Sequence, residues 1–275
     1  MLTSLDGILQ LDGLLKVSAK HNQISSLDFV GSRLAYLEVL ECQKNCIGWV
    51  EGLEELISLM SLHLGVILRL QLLTVDDNNI KVLQPKTSMR SLRTLKACRN
   101  ELEAFDAKLY PDLRTLYLDE NEIHSFCGLK KLRLLENFSA RSQRRNANIS
   151  LHSLNELKKV YVSGIISNGS TLIPGNPIPL RLERPFYNLQ YLELAALKLT
   201  SLPKDFADNV PNVRILNLSF NSLKDVKPIQ GLKLLKRLFL IGNRIGSLSD
   251  GTTETLVSLA QLQVLDLRYV TYHSG

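Results

Sequence analysis

Seven asparagines, at positions 22, 45, 78, 100, 121, 221 and 243, each close the same pattern, LxxLxLxxNxL. Its clearest copies are LRTLYLDENEI from Leu113 to Ile123 and VRILNLSFNSL from Val213 to Leu223. LKRLFLIGNRI follows at Leu235 to Ile245, and LLKVSAKHNQI opens the series at Leu14 to Ile24. Side chains alternate along a strand, so the fourth and sixth residues of a copy share one side while the fifth faces the other. Leu116 and Leu118, Leu216 and Leu218, and Leu238 and Leu240 are such inward pairs; Tyr117, Asn217 and Phe239 point away. The asparagine is expected to turn the chain inward and to satisfy buried backbone groups of the adjoining copy, where an orphaned group is costly. No single copy can bury its own apolar face, so the copies must stack.

A pattern of this kind at a fixed period above 20 residues marks leucine-rich repeats. The expected fold is α/β: a right-handed horseshoe solenoid with a parallel sheet on the concave face. Short helices, 3-10 turns and loops then line the convex face. First positions fall at Leu14, Leu37, Leu59, Leu92, Leu113, Leu135, Leu157, Leu189, Val213, Leu235 and Leu262, and most steps lie near 22 residues. Two steps are half a repeat too long: Leu59 to Leu92, and Leu157 to Leu189. Deleting LGVILRLQLLT, residues 64–74, restores the first step, and deleting IISNGSTLIPG, residues 165–175, restores the second. Both segments are therefore read as insertions, either retained by a gene model or looped out at small entropic cost.

Residues 1–275 are read as one domain of about eleven repeats, since a solenoid lengthens without splitting. Both ends are expected to be cut through a repeat: LTSLDGI resembles the tail of a preceding unit, and LQVLDLRYVTYHSG stops where an asparagine turn is due. Cysteines 42, 46, 98 and 127 lack the spacing of a disulfide framework or a metal site. Sequons occur at Asn137, Asn148, Asn168 and Asn217, without a signal peptide to make them relevant. No apolar run reaches membrane-spanning length. The expected compartment is cytoplasmic or nuclear, with no membrane insertion. A net charge of +6 points weakly to an acidic or phosphorylated partner. Basic and acidic residues are interleaved and no nucleic-acid module is present, so nucleic acid is not an expected partner.

Positions two, three, five, seven and eight of each copy face the concave wall, which makes that wall legible from sequence. Around the fourth to seventh repeats it carries Arg93, Lys96, Arg99, Arg114 and Arg141. Arg144 and Arg145 follow in SARSQRRNANISLHS, a stretch that leaves the leucine pattern after Gln143. Further along the wall turns apolar, with Tyr161, Tyr191, Ile215, Phe220, Phe239 and Ile241. These two groups form the candidate partner site: a basic region for an acidic or phosphorylated peptide beside an aromatic anchor region. Solvated arginines and mutually packed aromatics are the alternative. There is no phosphate-binding glycine loop, GxSxG elbow, HExxH or kinase set, and the five histidines are scattered. Catalytic residues, cofactors and metals are therefore not expected.

Several stretches are more distinctive than a generic repeat. PDLRTLYLDENEI, LLENFSARSQ, LKKVYVSG followed by NPI, and YNLQYLELAALKLTSLPKDFADNVPNVRILNLSFNSLKDVKPIQGLKLLKRLFLIGNRI occur in this order. From about Leu5 to Tyr269 this succession resembles the repeat region of the fungal spindle-pole-body scaffold of the septation-initiation and mitotic-exit networks, a family related to animal centriolin. The resemblance implies a non-enzymatic scaffold on the outer face of the spindle pole body. Implied partners are a spindle-pole anchoring protein, a small-GTPase regulatory complex and downstream kinases. The chain departs from the pattern at its two insertions, at Leu197 in place of the turn asparagine, and at the ending VTYHSG. The convex segments VEGLEEL, FCGLKKL and IQGLKLL fit a phosphatase-regulatory repeat protein as an alternative. A further alternative is the targeting region of a larger enzyme, such as a repeat-bearing phosphatase or adenylate cyclase.

Overall fold

The computed structural model describes residues 1–30, 33–34, 36–53, 70–144, 149, 151, 154–164, 185–245 and 250–270. It divides into two compact units, Met1–Leu135 and Glu136–Gly275. Each is a parallel-strand solenoid of leucine-rich repeats. In the first unit the strands are β1 (Lys16–Ser18), β2 (Ser26–Asp28), β3 (Val39–Glu41), β4 (Trp49–Glu51), β5 (Leu72–Thr74), β6 (Thr94–Lys96), β7 (Ala104–Asp106), β8 (Thr115–Tyr117) and β9 (Ser125–Cys127). Its main sheet runs β1-β3-β5-β6-β8, all parallel. Two short parallel ladders, β2–β4 and β7–β9, form on the other side of the coils. The second unit holds β10 (Asn137–Ser139), β11 (Lys159–Ser163), β12 (Tyr191–Ala195), β13 (Ile215–Asn217), β14 (Arg237–Phe239) and β15 (Val264–Asp266), paired in chain order. Among the described residues, helix is confined to connections, at Phe206–Asn209 and Asp250–Ser258, with 3-10 turns such as Ala107–Leu109 and Lys227–Ile229.

The core follows the pattern closely. Leu95, Leu116, Leu118, Leu216, Leu218, Leu238 and Leu240 are fully buried. Each such side chain contributes about 1.5–3 kcal/mol relative to exposure. The asparagines form a second, polar ladder beneath the leucines. Asn121 is the clearest member: its amide donates to the carbonyls of Leu118, three residues back, and of Ala97 in the preceding coil, both at 2.9 Å. Its carbonyl accepts from the amide nitrogen of Leu102 at 3.1 Å. Asn45, Asn78 and Asn243 repeat these three links with their own neighbours. Gln143 occupies the same slot in the SARSQ coil, is fully buried, and donates to the Arg141 carbonyl at 3.1 Å.

The structure moves one repeat from where the sequence reading put it. Residues 72–74, assigned above to the end of an insertion, are strand β5, paired in register with β3 and β6. Leu70, Leu73 and Val75 fill the first, fourth and sixth core positions and are buried. LQLLTVDDNNI thus forms a complete copy, and the first position is Leu70 instead of Leu59. Both registers satisfy the leucine spacing; strand pairing with two neighbours selects between them. The rest of the first proposed insertion, residues 64–69, and all of the second, 165–175, lie outside the described residues.

Position eight, just before the asparagine, adopts the left-handed conformation in coil after coil. His21, Lys44, Asp77, Arg99, Glu120, Ser142, Ala196, Phe220 and Tyr269 all have φ between 49° and 58°, and Gly242 has 64°. A residue with a Cβ pays about 1–2 kcal/mol for this geometry. In return its N–H reaches the next coil: Arg99 donates to the Asp119 carbonyl at 2.8 Å and Phe220 to that of Ile241 at 2.6 Å.

Leu197 replaces the asparagine of its coil and is buried. The N–H groups of Leu197 and Leu199 both donate to the Asn221 side chain, at 2.9 and 3.0 Å. Facing the previous coil, where Leu197 can offer no amide, the strands are longer instead. β11 and β12 pair over five residues, extending to Val162 against Leu194 and Ser163 against Ala195. Gly164 adds a further bond to the Ala195 carbonyl at 3.0 Å.

Candidate interaction surface

Strand register assigns each outward side chain to a row. In the first unit, Arg93 and Arg114 stand at position two, Lys96 at position five and Arg99 at position eight. This face is not the cationic surface that counting arginines suggests. Six carboxylates share it: Glu38, Glu41, Asp76, Asp77, Asp119 and Glu120. Arg99 grips Asp77 with two nitrogens, Nη2 lying 2.7 Å from Oδ2. Arg93 lies 3.6 Å from Asp112 and also donates to the Arg90 carbonyl at 2.7 Å. Lys96 sits 5.5 Å from the centre of the Tyr117 ring. Glu41 holds both Lys16 and Lys20.

These pairs imply a pH response. The bond from Arg99 holds the Asp77 carboxyl below its ordinary range, and that from Lys20 does the same for Glu41. A carboxylate with a lowered folded pKa stabilises the fold above its unfolded pKa, near 3.9 for Asp, and loses that contribution as pH falls through the folded value. Asp76 acts oppositely, because burial raises its pKa although it accepts from the Cys98 amide at 2.7 Å. With three lowered carboxylates, Asp266 beside Arg268 among them, against one raised, the urea midpoint should fall between pH 5 and pH 3. Asp77→Asn should flatten that slope, and a midpoint that rose on acidification would contradict this assignment.

The remaining candidate residues lie in the second unit, where a compact cluster forms. Arg141 makes a two-pronged pair with Glu193, at 2.8 and 3.0 Å. Its guanidinium carbon lies 4.3 Å from the centre of the Tyr161 ring. Tyr161 and Tyr191 pack at 4.4 Å between centroids, and the Tyr191 hydroxyl donates to Glu193 at 3.1 Å. Burial is the leading cause that pushes the Tyr191 hydroxyl up to about 12. Register then carries the apolar row onward. Tyr191 is opposite Ile215, while Glu193, Asn217 and Phe239 align in the next row. Tyr191, Ile215, Phe220, Phe239 and Ile241 are all half-buried. Phe220 covers Gly242, whose added Cβ would meet the ring at 3.0 Å.

Glu193 is a lone acid among the cations and apolar residues that the concave positions offer as candidates. Aligning the repeats singles it out, since Glu193 stands in the row of Tyr161 and two coils beyond Arg141. Arg144 is exposed, and Arg145 lies outside the described residues. Among the described residues no group of three His, Cys, Asp or Glu side chains could hold a metal ion. Nor is any described helix long and apolar enough to cross a membrane. All four cysteines are free thiols; burial pushes Cys42 up to about 12.

Comparison with known proteins agrees with this geometry. The leucine rich repeat family matches residues 187–245, which lie within the second unit. Over 160 residues, 58% of its length, the chain is 35% identical to the septation initiation network scaffold protein cdc11 of Schizosaccharomyces pombe. It spans 14% of that protein. Over 267 residues, 94% of its length, it is 28% identical to podocan-like protein 1 of Mus musculus, of which it spans 40%. Among solved structures, the functional domain of InlJ from Listeria monocytogenes superposes with a TM-score of 0.69 at 19% identity, covering 97% of this chain and 51% of that one. A likeness at that identity speaks to the fold alone.

Proposed function

We propose that the chain is the protein-binding part of a non-catalytic scaffold, and that its working surface is the outward sheet face of the second unit. One observation carries the reading: Tyr191 and Ile215 in one register row, with Tyr161 and Phe239 in the row beside it, are half-buried and stay partly open to solvent. Apolar side chains in contiguous rows on a rigid sheet characterise association surfaces. The likeness to cdc11, a septation initiation network scaffold, supports the finer reading. On that reading the protein is cytoplasmic and gathers mitotic-exit and septation-initiation components at the spindle pole body. Its partners there would be a pole-anchoring protein, a GTPase-regulatory complex or kinases.

The test is to tag the full-length protein and follow it through division. It should concentrate at spindle poles, and Phe239→Asp should disperse it while the melting curve of the purified chain stays the same. Phe239 is half-exposed, so its loss leaves the Leu238 and Leu240 core in place. A protein never found at the poles would defeat the finer reading. Unchanged localisation and binding in Phe239→Asp would defeat the choice of face.

A further inference from the structure

The two sheet faces differ in how their charges are spent. On positions two, three, five, seven and eight of the second unit there are three carboxylates, and each is already held by a cation. Glu136 takes Lys158 at 2.9 Å, Glu193 takes Arg141, and Asp266 takes Arg268 at 2.8 Å. Four cations are left over on the same face: Lys159, Arg214, Lys236 and Arg237. None of the four has an ion-pair partner among the described residues, and all but the half-buried Lys236 are exposed. By contrast, seven basic side chains meet six acidic ones on the corresponding positions of the first unit.

Their placement is regular. Lys159, Tyr191, Ile215, Arg237 and Val264 are register partners on consecutive strands, so one row reads cation, apolar, apolar, cation, apolar. Arg214 and Lys236 flank that row at position two. Neighbouring strands are about 4.8 Å apart, which sets Lys159 and Arg237 about 14 Å from each other across the sheet. An extended chain covers that span in about four residues.

We propose that this row binds an extended, acidic segment of a partner protein, whose carboxylates meet Lys159, Arg214, Lys236 and Arg237 and whose apolar side chains settle on Tyr191, Ile215 and Val264. The proposal rests on the face chosen above and adds the chemistry of what it takes. Unpaired cations beside apolar side chains are complementary to an acidic amphipathic strand, and complementarity of this kind sets both association rate and selectivity. Cations spread over three coils, those of β11, β13 and β14, suit several separate carboxylates better than one phosphate, which needs donors converging on a single group. Single-stranded nucleic acid would need open ring faces for its bases. Here Arg141 covers the Tyr161 ring, and Tyr191 packs against Tyr161.

The experiment is to select random dodecapeptides displayed on phage against the 275-residue chain, then to measure the enriched peptides by fluorescence anisotropy. Enriched sequences should be acidic with interspersed aliphatic or aromatic residues. Replacing all four cations by glutamine should weaken their binding at least about tenfold, with a much smaller salt dependence. Replacing the four by glutamate should turn the selection toward basic peptides, a gain that misfolding cannot mimic. Enrichment without acidic bias, affinity unchanged by the glutamine variant, tighter binding of a twelve-residue oligothymidylate, or no enrichment at all would overturn the proposal. Peptides without acidic bias whose binding is lost in Phe239→Asp would overturn this inference and leave the face itself standing.

Discussion

Asn121→Ala is expected to cost about 3 kcal/mol, since each buried hydrogen bond lost costs about 1–3 kcal/mol. Asn121 is fully buried, and truncation takes one bond from each of three backbone groups: the carbonyls of Ala97 and Leu118 and the N–H of Leu102. Two of them belong to the preceding coil, so the damage includes the contact between neighbours from which a solenoid draws its stability. Asn121→Asp keeps the shape and should fare no better, because a carboxylate cannot donate to two carbonyls. Asn22→Ala supplies the contrast. Asn22 is half-buried and bonds Leu2, Ala19 and Lys20, where water can take over, so its loss should cost about 1 kcal/mol. Urea unfolding of the three variants measures the difference. Equal, small losses at Asn121 and Asn22 would mean that the ladder is incidental to the stacking.

Gly52→Ala is expected to cost about 3 kcal/mol, combining overpacking with a left-handed residue that gains a Cβ. Gly52 follows β4 with φ of 64°, and an added Cβ would press on the Val30 amide nitrogen and sit 2.7 Å from the Phe29 carbonyl carbon. Both obstacles are backbone of the preceding coil, next to the buried Phe29 ring, and cannot step aside. Gly128 stands after β9 with φ of 70°, and its obstacles are Lys108 Cγ at 2.6 Å and the Lys108 amide nitrogen at 3.1 Å. Gly128→Ala should cost less only because its nearest backbone obstacle stands farther off. Gly13→Ala, with nothing within 4 Å, should be close to neutral. Thermal unfolding of the three would rank them, and a Gly52 variant as stable as the Gly13 variant would refute the close approach.

The repeated leucines and asparagines made the core and the polar ladder readable in advance, because each position carries one residue type for one physical reason. Position eight was not readable. Its conformation is shared, but it is taken by histidine, lysine, aspartate, arginine, glutamate, serine, alanine, phenylalanine and tyrosine in turn. All but the buried Ala196 are at least partly exposed, which leaves composition nearly unconstrained, while the backbone carries the requirement. The register around Leu70 is left open by the sequence for another reason. Two leucine-spaced frames were available, and choosing between them takes the hydrogen bonds of β5 with its neighbours. At the candidate site the aromatic row was legible from the repeat frame. The spent charge of the arginines was not, since Arg141 and Glu193 lie 52 residues apart and meet across Tyr161.

The junction between β11 and β12 has an evolutionary corollary. At Asn45, Asn78, Asn100, Asn121, Asn221 and Asn243 a neighbouring pair of coils is clasped by one asparagine side chain, and a single codon change can open the clasp. Here the clasp consists of main-chain bonds, from Val162 against Leu194 through to Gly164 donating to Ala195. Those bonds survive almost any exchange of side chain, and proline is the substitution that removes a donor outright. This junction is thus free to drift in sequence while the next one is held to Asn221, and a homologue could lose every familiar letter there and still keep the joint.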